Sequence, residues 1–511
     1  MSSTSEKNKR IAINTIVLYV RMLLLMFIAL YTSRVTLDAL GVEDYGIYNV
    51  VGGFVSAFAI ISSALSGACS RFLNYEMGRG RMDRLANVFS TAINIHSLLS
   101  LLVVLVAETV GLWFLNEKMV IPDNRFFAAN WVFQLSLFTF CINLFVVPYR
   151  SALIAHERMK AFAYVSVIEG FLKFILAFLI AISPIDRLIF YAGVLCTIQV
   201  GIGLVYMIYC KRNFQECTYH WICDKSMTKE ILSYSGWNFL GHASGILRNQ
   251  GGNILINIFF GPAVNAARGI ANQVLAAVEG FVSNYMLAVN PQISQSYGAG
   301  ELDYMRKLVY TSARFSFFLI YILSLPIILN IDFILSIWLK EVPNHSAAFV
   351  QLMLIFSMIQ SINMPIQYAQ AATGRIRNYQ LVVATSQLMI LPVTYILFKV
   401  GFDAEALFYV SIIINSISVY LRVYMLSRII EWDILKYSKE VIFKVLGIVF
   451  VSLPFPLFVK HHFEQNLMGF LVISSISIVC TISTIWFIGL SCNEKNMIKD
   501  KLFFLLNKIR K

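Results

Sequence analysis

Gly78-Arg79-Gly80-Arg81-Met82-Asp83 returns as Gly298-Ala299-Gly300-Glu301-Leu302-Asp303, and the same offset of 220 residues (298 minus 78) carries Gly41 to Gly261 and Thr91 to Thr311. A chain that repeats itself at one fixed distance, within a sequence this apolar, points to a transporter of two related halves around a substrate path.

The setting of the repeat is a bilayer. Of 511 residues, 58% are hydrophobic and only 14% charged, against roughly a quarter charged in soluble proteins. Windows of about 20 apolar residues, enough to cross about 30 Å of hydrocarbon as a helix, occur about fourteen times, from 11–33 and 47–69 through 441–459 and 467–490. The expected fold is therefore all-α integral membrane with about 14 transmembrane helices. Helices are required because backbone groups in lipid must be satisfied within each segment, and no period-two pattern suggests a barrel. The first window follows Lys7, Lys9 and Arg10, but it is too long for a signal peptide and has no small-residue cleavage site.

Six windows precede the repeat point and six follow, so both halves enter the membrane facing the same way and their pseudo-two-fold axis should run along the membrane normal. The polar stretch 211–230 is the natural joint. The reading is an N-terminal six-helix lobe at 1–215, a second at 216–430, and an extra two-helix hairpin at 431–511 ending in a basic amphipathic tail, where Lys499, Lys501, Lys508, Arg510 and Lys511 alternate with Leu502, Phe503, Phe504 and Ile509. Such a tail suits an anionic membrane surface.

A net charge of +13 could suggest nucleic acid. Its distribution excludes that partner: with the N-terminus inside, most Lys and Arg fall in the N-terminal segment, alternate loops and the tail, the positive-inside pattern that places both termini in the cytoplasm. No loop greatly exceeds about twenty residues, whereas a folded domain needs about 50 or more. Catalysis by a soluble domain has no room, and no cofactor is implied. The eight cysteines form no disulfide framework. Cys217, His220 and Cys223 give three soft ligands without the fourth that structural zinc takes, so no metal is expected.

Ionisable groups at mid-bilayer cost about 2.5 to 3.5 kcal/mol each on insertion scales. Arg21 lies near the centre of the first span. Arg248 opens the polar, glycine-containing run Arg248-Asn249-Gln250-Gly251-Gly252-Asn253, which reads as a discontinuous helix lining a cavity. Arg268, Asn272 and Gln273 extend the polar set, and Arg314 sits in the next span. Guanidinium groups in excess over acids suit an anionic, phosphate-bearing ligand, so Arg21, Arg248, Arg268, Asn249, Asn253, Asn272 and Gln273 are the expected substrate-binding residues. Glu169 with Lys173 four residues on, and Glu279, are the candidates for ion coupling or for helix-bridging pairs. Arg422 and Lys444 lie near span ends and read as snorkelling. His96 and His242 read as packed polar residues, and Asp38, Glu43 and Asp44 as turn and topology residues.

Leu40-Gly41-Val42-Glu43-Asp44-Tyr45-Gly46-Ile47-Tyr48, after a first span bearing Asn14 and Arg21 and before Arg71, Gly78 and Asn87, resembles the amino-terminal region of bacterial polysaccharide flippases. These are the Wzx-type members of the multidrug/oligosaccharidyl-lipid/polysaccharide exporter superfamily. Phe260-Gly261-Pro262-Ala263, Asn290-Pro291-Gln292-Ile293 and Gly298 are similar to the same family. The resemblance implies a V-shaped pair of six-helix lobes with a cationic central cavity, working by alternating access in the inner membrane. It implies an undecaprenyl-diphosphate-linked oligosaccharide as substrate, moved from the inner to the outer leaflet for O-antigen or capsule synthesis, with a polysaccharide polymerase as functional partner. The cationic role is carried to Arg21, Arg248 and Arg268. Competing readings are a multidrug or cation exporter of the same fold, a lipid II flippase, and, from another class, a membrane glycosyltransferase or polymerase.

Overall fold

A computed structural model of the chain describes residues 4–56, 58–117, 119, 121–222, 224–339, 341–464, 466–491 and 494–496. These residues are helical almost throughout, with no strand among them. In chain order the helices are α1 Thr4–Ser56, α2 Ala59–Gly78, α3 Met82–Val106, α4 Leu112–Glu117, α5 Phe126–Ala155, α6 Met159–Leu179, α7 Arg187–Asn213, α8 Lys225–Gly298, α9 Leu302–Leu329 and α10 Ile331–Trp338. They continue as α11 Ser346–Thr373, α12 Arg377–Leu388, α13 Ile390–Val400, α14 Ala406–Ser427, α15 Ile434–Tyr437, α16 Phe443–Ser452, α17 Pro454–His462 and α18 Leu467–Thr484. Short polar side chains start several of them. Asp186 accepts the amides of Leu188 and Ile189 at 3.0 and 3.1 Å, and Asp224 those of Ser226 and Met227 at 2.9 and 3.0 Å, satisfying donors a helix start leaves open.

Twelve helices among the described residues are long and apolar enough to cross a membrane. Thirteen of the fourteen windows of the sequence map onto these twelve once α8 is counted as two arms; 47–69, at the end of α1 and the start of α2, falls outside them. Large apolar side chains face outward along them; Phe450 is 82% exposed and Phe487 75%, a surface only lipid would accept. The expected basic tail lies outside the described residues, apart from 494–496.

The repeat is visible in the backbone. α1 is broken at Gly41 (φ 81°, ψ 166°) and α8 at Gly261 (φ 82°, ψ −179°), a region of φ/ψ space essentially reserved for glycine. The same positions in the two repeats thus turn the chain in the same way. The polar run 248–253 was expected to break its helix, but it is continuous there, and the only non-helical residue inside α8 is Gly261. Glycine costs about 1 kcal/mol in a helix without forbidding it, and here its lack of a side chain is used for packing.

The chain forms two compact units. Unit 1 comprises 1–243 with 287–302 and 371–381. Its core joins Phe72, Phe89, Tyr149, Leu153 and Tyr206, with a second cluster around Val51, Val103, Val132 and Phe133. Within this unit the ends of the repeat-related helices α2 and α8 cross. A Cβ on Gly78 would collide with the Gln295 backbone carbonyl, and one on Gly298 with that of Tyr75. Because 295 and 298 are the repeat equivalents of 75 and 78, the contact is reciprocal, as a two-fold axis demands. Unit 2 comprises 244–286, 303–370 and 382–511, with Phe349, Leu354, Ile366, Tyr437, Val441 and Ile448 in its interior.

Candidate functional site

Unit 1 gathers cations around one carboxylate. Arg21, on α1 and half-buried, lays its guanidinium 4.6 Å from the Phe162 ring centroid on α6, and its buried Nε has no hydrogen-bond partner among the described residues. Glu169, Tyr206 and Arg150 are the groups within electrostatic reach of it. Arg150 lies 5.1 Å from the Tyr206 ring centroid. Glu169 Oε1 accepts Lys173 Nζ and Gln199 Nε2, each at 2.7 Å. One carboxylate thus faces Arg21, Arg150 and Lys173, and it is already engaged by the last. Arg150 does not stand out in the sequence because the apolar window ends at Tyr149; α5 continues to Ala155 and draws the arginine into the bundle.

Unit 2 holds a second cluster. Arg248 Nη1 donates to Gln387 Oε1 at 2.6 Å, and its guanidinium lies 4.9 Å from the Phe356 ring centroid. Arg268, 5% exposed, reaches back across the Gly261 turn, and its Nη2 donates to Asn249 Oδ1 at 2.9 Å. A Cβ on Gly252 would sit 2.7 Å from Arg268 Nη1, so this glycine lets the guanidinium lie flat on the helix. Arg268 Nε and Nη1 are buried without a partner among the described residues, donors whose desolvation calls for an acceptor. Glu279 Oε1 accepts Ser357 Oγ at 2.7 Å, with Arg248 as its charged neighbour. Asn253 Nδ2 donates to Gln250 Oε1 on its own helix at 3.1 Å. Asn272 is half-buried and Gln273 exposed, one turn beyond Arg268.

Other deep charges are structural. Arg314 is buried and paired with Glu494 at 2.7 Å and Glu440 at 3.5 Å. Lys444 also pairs with Glu440, at 2.7 Å. Arg422 was expected to snorkel, yet it is 3% exposed and its Nε donates to Ser418 Oγ at 3.0 Å, because a partner on its own helix, one turn back, removes the need to reach water. His96 is buried with Nδ1 2.7 Å from the Ala92 carbonyl; His242 is exposed. Cys217 is buried and Cys223 lies outside the described residues, among which no three such side chains come together to hold a metal. Asp44, read from the sequence as a turn residue, joins Asp186 on the Arg125 guanidinium. At the repeat-equivalent place, His345 contacts Glu405 at 2.6 Å.

A polytopic helical bundle with cations sequestered at depth and no folded extramembrane domain among its described residues is a membrane transporter in form. The chain belongs to the polysaccharide biosynthesis protein family, which it matches over residues 6–297, and residues 249–396 also match the MatE family. Solved structures share the fold. A multidrug resistance MATE family transporter of the MOP superfamily in an outward-facing conformation is 12% identical, with 86% of this chain and 99% of that one covered at a TM-score of 0.70. A MOP superfamily transporter from Pyrococcus furiosus, described as having a binding pocket of reversed polarity, is 13% identical over 85% and 96% at 0.68. A MATE transporter from Vibrio cholerae is 17% identical over 84% and 98% at 0.67. No curated protein matches by sequence. The chain is a multi-pass membrane transporter of the MOP superfamily.

Proposed function

We propose that this transporter is a flippase for a lipid-linked oligosaccharide, turning an undecaprenyl-diphosphate-linked glycan from the inner to the outer leaflet of the bacterial cytoplasmic membrane for O-antigen or capsule synthesis. The observation that carries the reading is the charge balance: Arg21, Arg150 and Lys173 share the single carboxylate Glu169, and Arg248 faces Glu279 while the charge nearest Arg268 is Arg248 itself. Such unneutralised positive charge suits a diphosphate, whose head resists hydrocarbon while its prenyl tail does not. A wet cationic path removes the barrier for the head, and the tail stays among lipids. The halves 1–215 and 216–430 would exchange access in turn, with 431–511 as an appended hairpin and both termini in the cytoplasm. A polysaccharide polymerase would take the product, and membrane lipids would surround the whole.

A second reading, a multidrug or cation exporter, draws on the MatE match over 249–396, which includes the hydrogen-bonded carboxylate Glu279. Binding of a prenyl-diphosphate sugar and of a cationic dye to the purified protein separates the two. Arg21→Ala and Arg248→Ala should each weaken the diphosphate ligand by about 10- to 100-fold, the worth of a charged hydrogen bond of about 1.5 to 3 kcal/mol, and abolish surface glycan at matched protein levels. Preference for the dye, or normal surface glycan in both variants, overturns the flippase reading.

A further inference from the structure

The turn between α5 and α6 holds a carboxylate in an unusual place. Glu157 stands in the left-handed backbone region at φ 56°, which L side chains rarely adopt, and its carbonyl accepts Asn14 Nδ2 of α1 at 3.4 Å. Its side chain is 3% exposed. Oε1 accepts the side-chain amide of Gln292 on α8, and Oε2 faces Arg10 Nη1 of α1 at 3.5 Å. The Arg10 side chain is 52% exposed, so water screens most of its charge. The other charge facing the carboxylate is Lys7 of α1, which is paired with Glu301. His156, the preceding residue, is committed to Glu216.

The carboxylate therefore sits where the ends of the two repeats meet within unit 1. Asn14, Arg10 and Glu157 belong to the first repeat, and Gln292 and Glu301 to the second. The Gly78–Gly298 crossing joins the same two repeats.

We propose that Glu157 is the proton-binding site coupled to this contact: its carboxylate takes up a proton from water as the helix ends close around it and returns the proton when they part. The proton resides on Oε2 in place of the Arg10 hydrogen bond, while Gln292 continues to donate to Oε1. Burial pushes the Glu157 carboxyl above the ordinary carboxylate range, against the opposing pull of Arg10, Gln292 and Lys7. A group whose value is higher in the closed contact than in water stabilises that contact in acid. The contribution is complete below the solvated value and is lost as pH rises through the raised one. The inference rests on the transporter reading and names the ion it is coupled to.

The test uses the full-length protein in lipid vesicles without substrate, so it stands or falls separately from the flippase reading. Spin labels on unnatural residues at the exposed positions Arg81 and Ala299 report the separation of the helix ends across a pH series. In the wild type the short-distance population should fall with rising pH, its ratio to the long-distance population changing by up to about tenfold per pH unit between the solvated and buried values. Glu157→Gln, a mimic of the protonated acid, should hold the short distance at every pH. Gln292→Leu, which removes an amide that favours the charged form, should move the wild-type midpoint to higher pH. A wild-type profile that is flat or tightens with rising pH, or a Glu157→Gln profile that follows the wild type, overturns the proposal.

Discussion

Replacing Gly78 by alanine introduces one methyl group at the point where α2 and α8 cross, and the neighbour it meets is the backbone carbonyl of Gln295. A flexible side chain could swing aside. A carbonyl inside a helix moves only with its helix, so the crossing itself must widen. Overpacking of this kind costs about 1 to 3 kcal/mol; the rigidity of the neighbour puts the expected loss in the upper half of that range. The repeat-equivalent change Gly298→Ala meets the Tyr75 carbonyl and should cost a similar amount. Widening by the first methyl makes room for the second, so Gly78→Ala with Gly298→Ala should lose clearly less than the sum of the singles, a coupling of about 1 kcal/mol or more. Thermal unfolding of the four proteins in detergent, followed by tryptophan fluorescence and referenced to one temperature, gives the cycle. Unchanged melting in either single variant, or strict additivity, would refute the reciprocal packing.

Three further outcomes follow from the same geometry. Arg314→Leu leaves Glu494 and Glu440 with less compensation and should destabilise the protein by about 3 to 5 kcal/mol; thermal melting of the variant checks it, and an unchanged midpoint would refute the pairing. Burial alone would raise the Asp186 carboxyl, but Arg125 and the amides of Ile189 and Leu188 hold it below the ordinary range, so its contribution persists at neutral and mildly acid pH and fades only as pH drops through that lowered value; Arg125→Ala should shift the acid midpoint of unfolding upward. Gly252→Ala should displace the Arg268 guanidinium and reduce binding of a prenyl-diphosphate ligand several-fold while leaving helix content unchanged by circular dichroism.

Much of the fold was legible because lipid imposes a simple rule on sequence. An apolar run of sufficient length must be a helix, and the repeated glycines at 41 and 261 mark turns that only glycine adopts. The polar run at 248–253 was misread as a helix break because composition does not say whether a glycine bends its helix or makes room for a neighbour. Gly252 does the latter, for Arg268. Arg150 was hidden by a window edge, and Glu157 by its place in a short turn. Their surroundings, Tyr206 for the one and Gln292 for the other, come from helices far along the chain.

Periodicity, hydropathy and the 220-residue offset by themselves determined that this is a duplicated helical membrane protein carrying positive charge at depth. Those properties are local or strictly repetitive, and solvation energy writes them into the order of residues. Which cations share a carboxylate, which are sealed by salt bridges, and where the repeats touch depended on side chains brought together from distant segments. Only the tertiary structure decided them, because a buried charge is stabilised by whatever partner lies within a few ångströms, and no spacing along the chain specifies that partner.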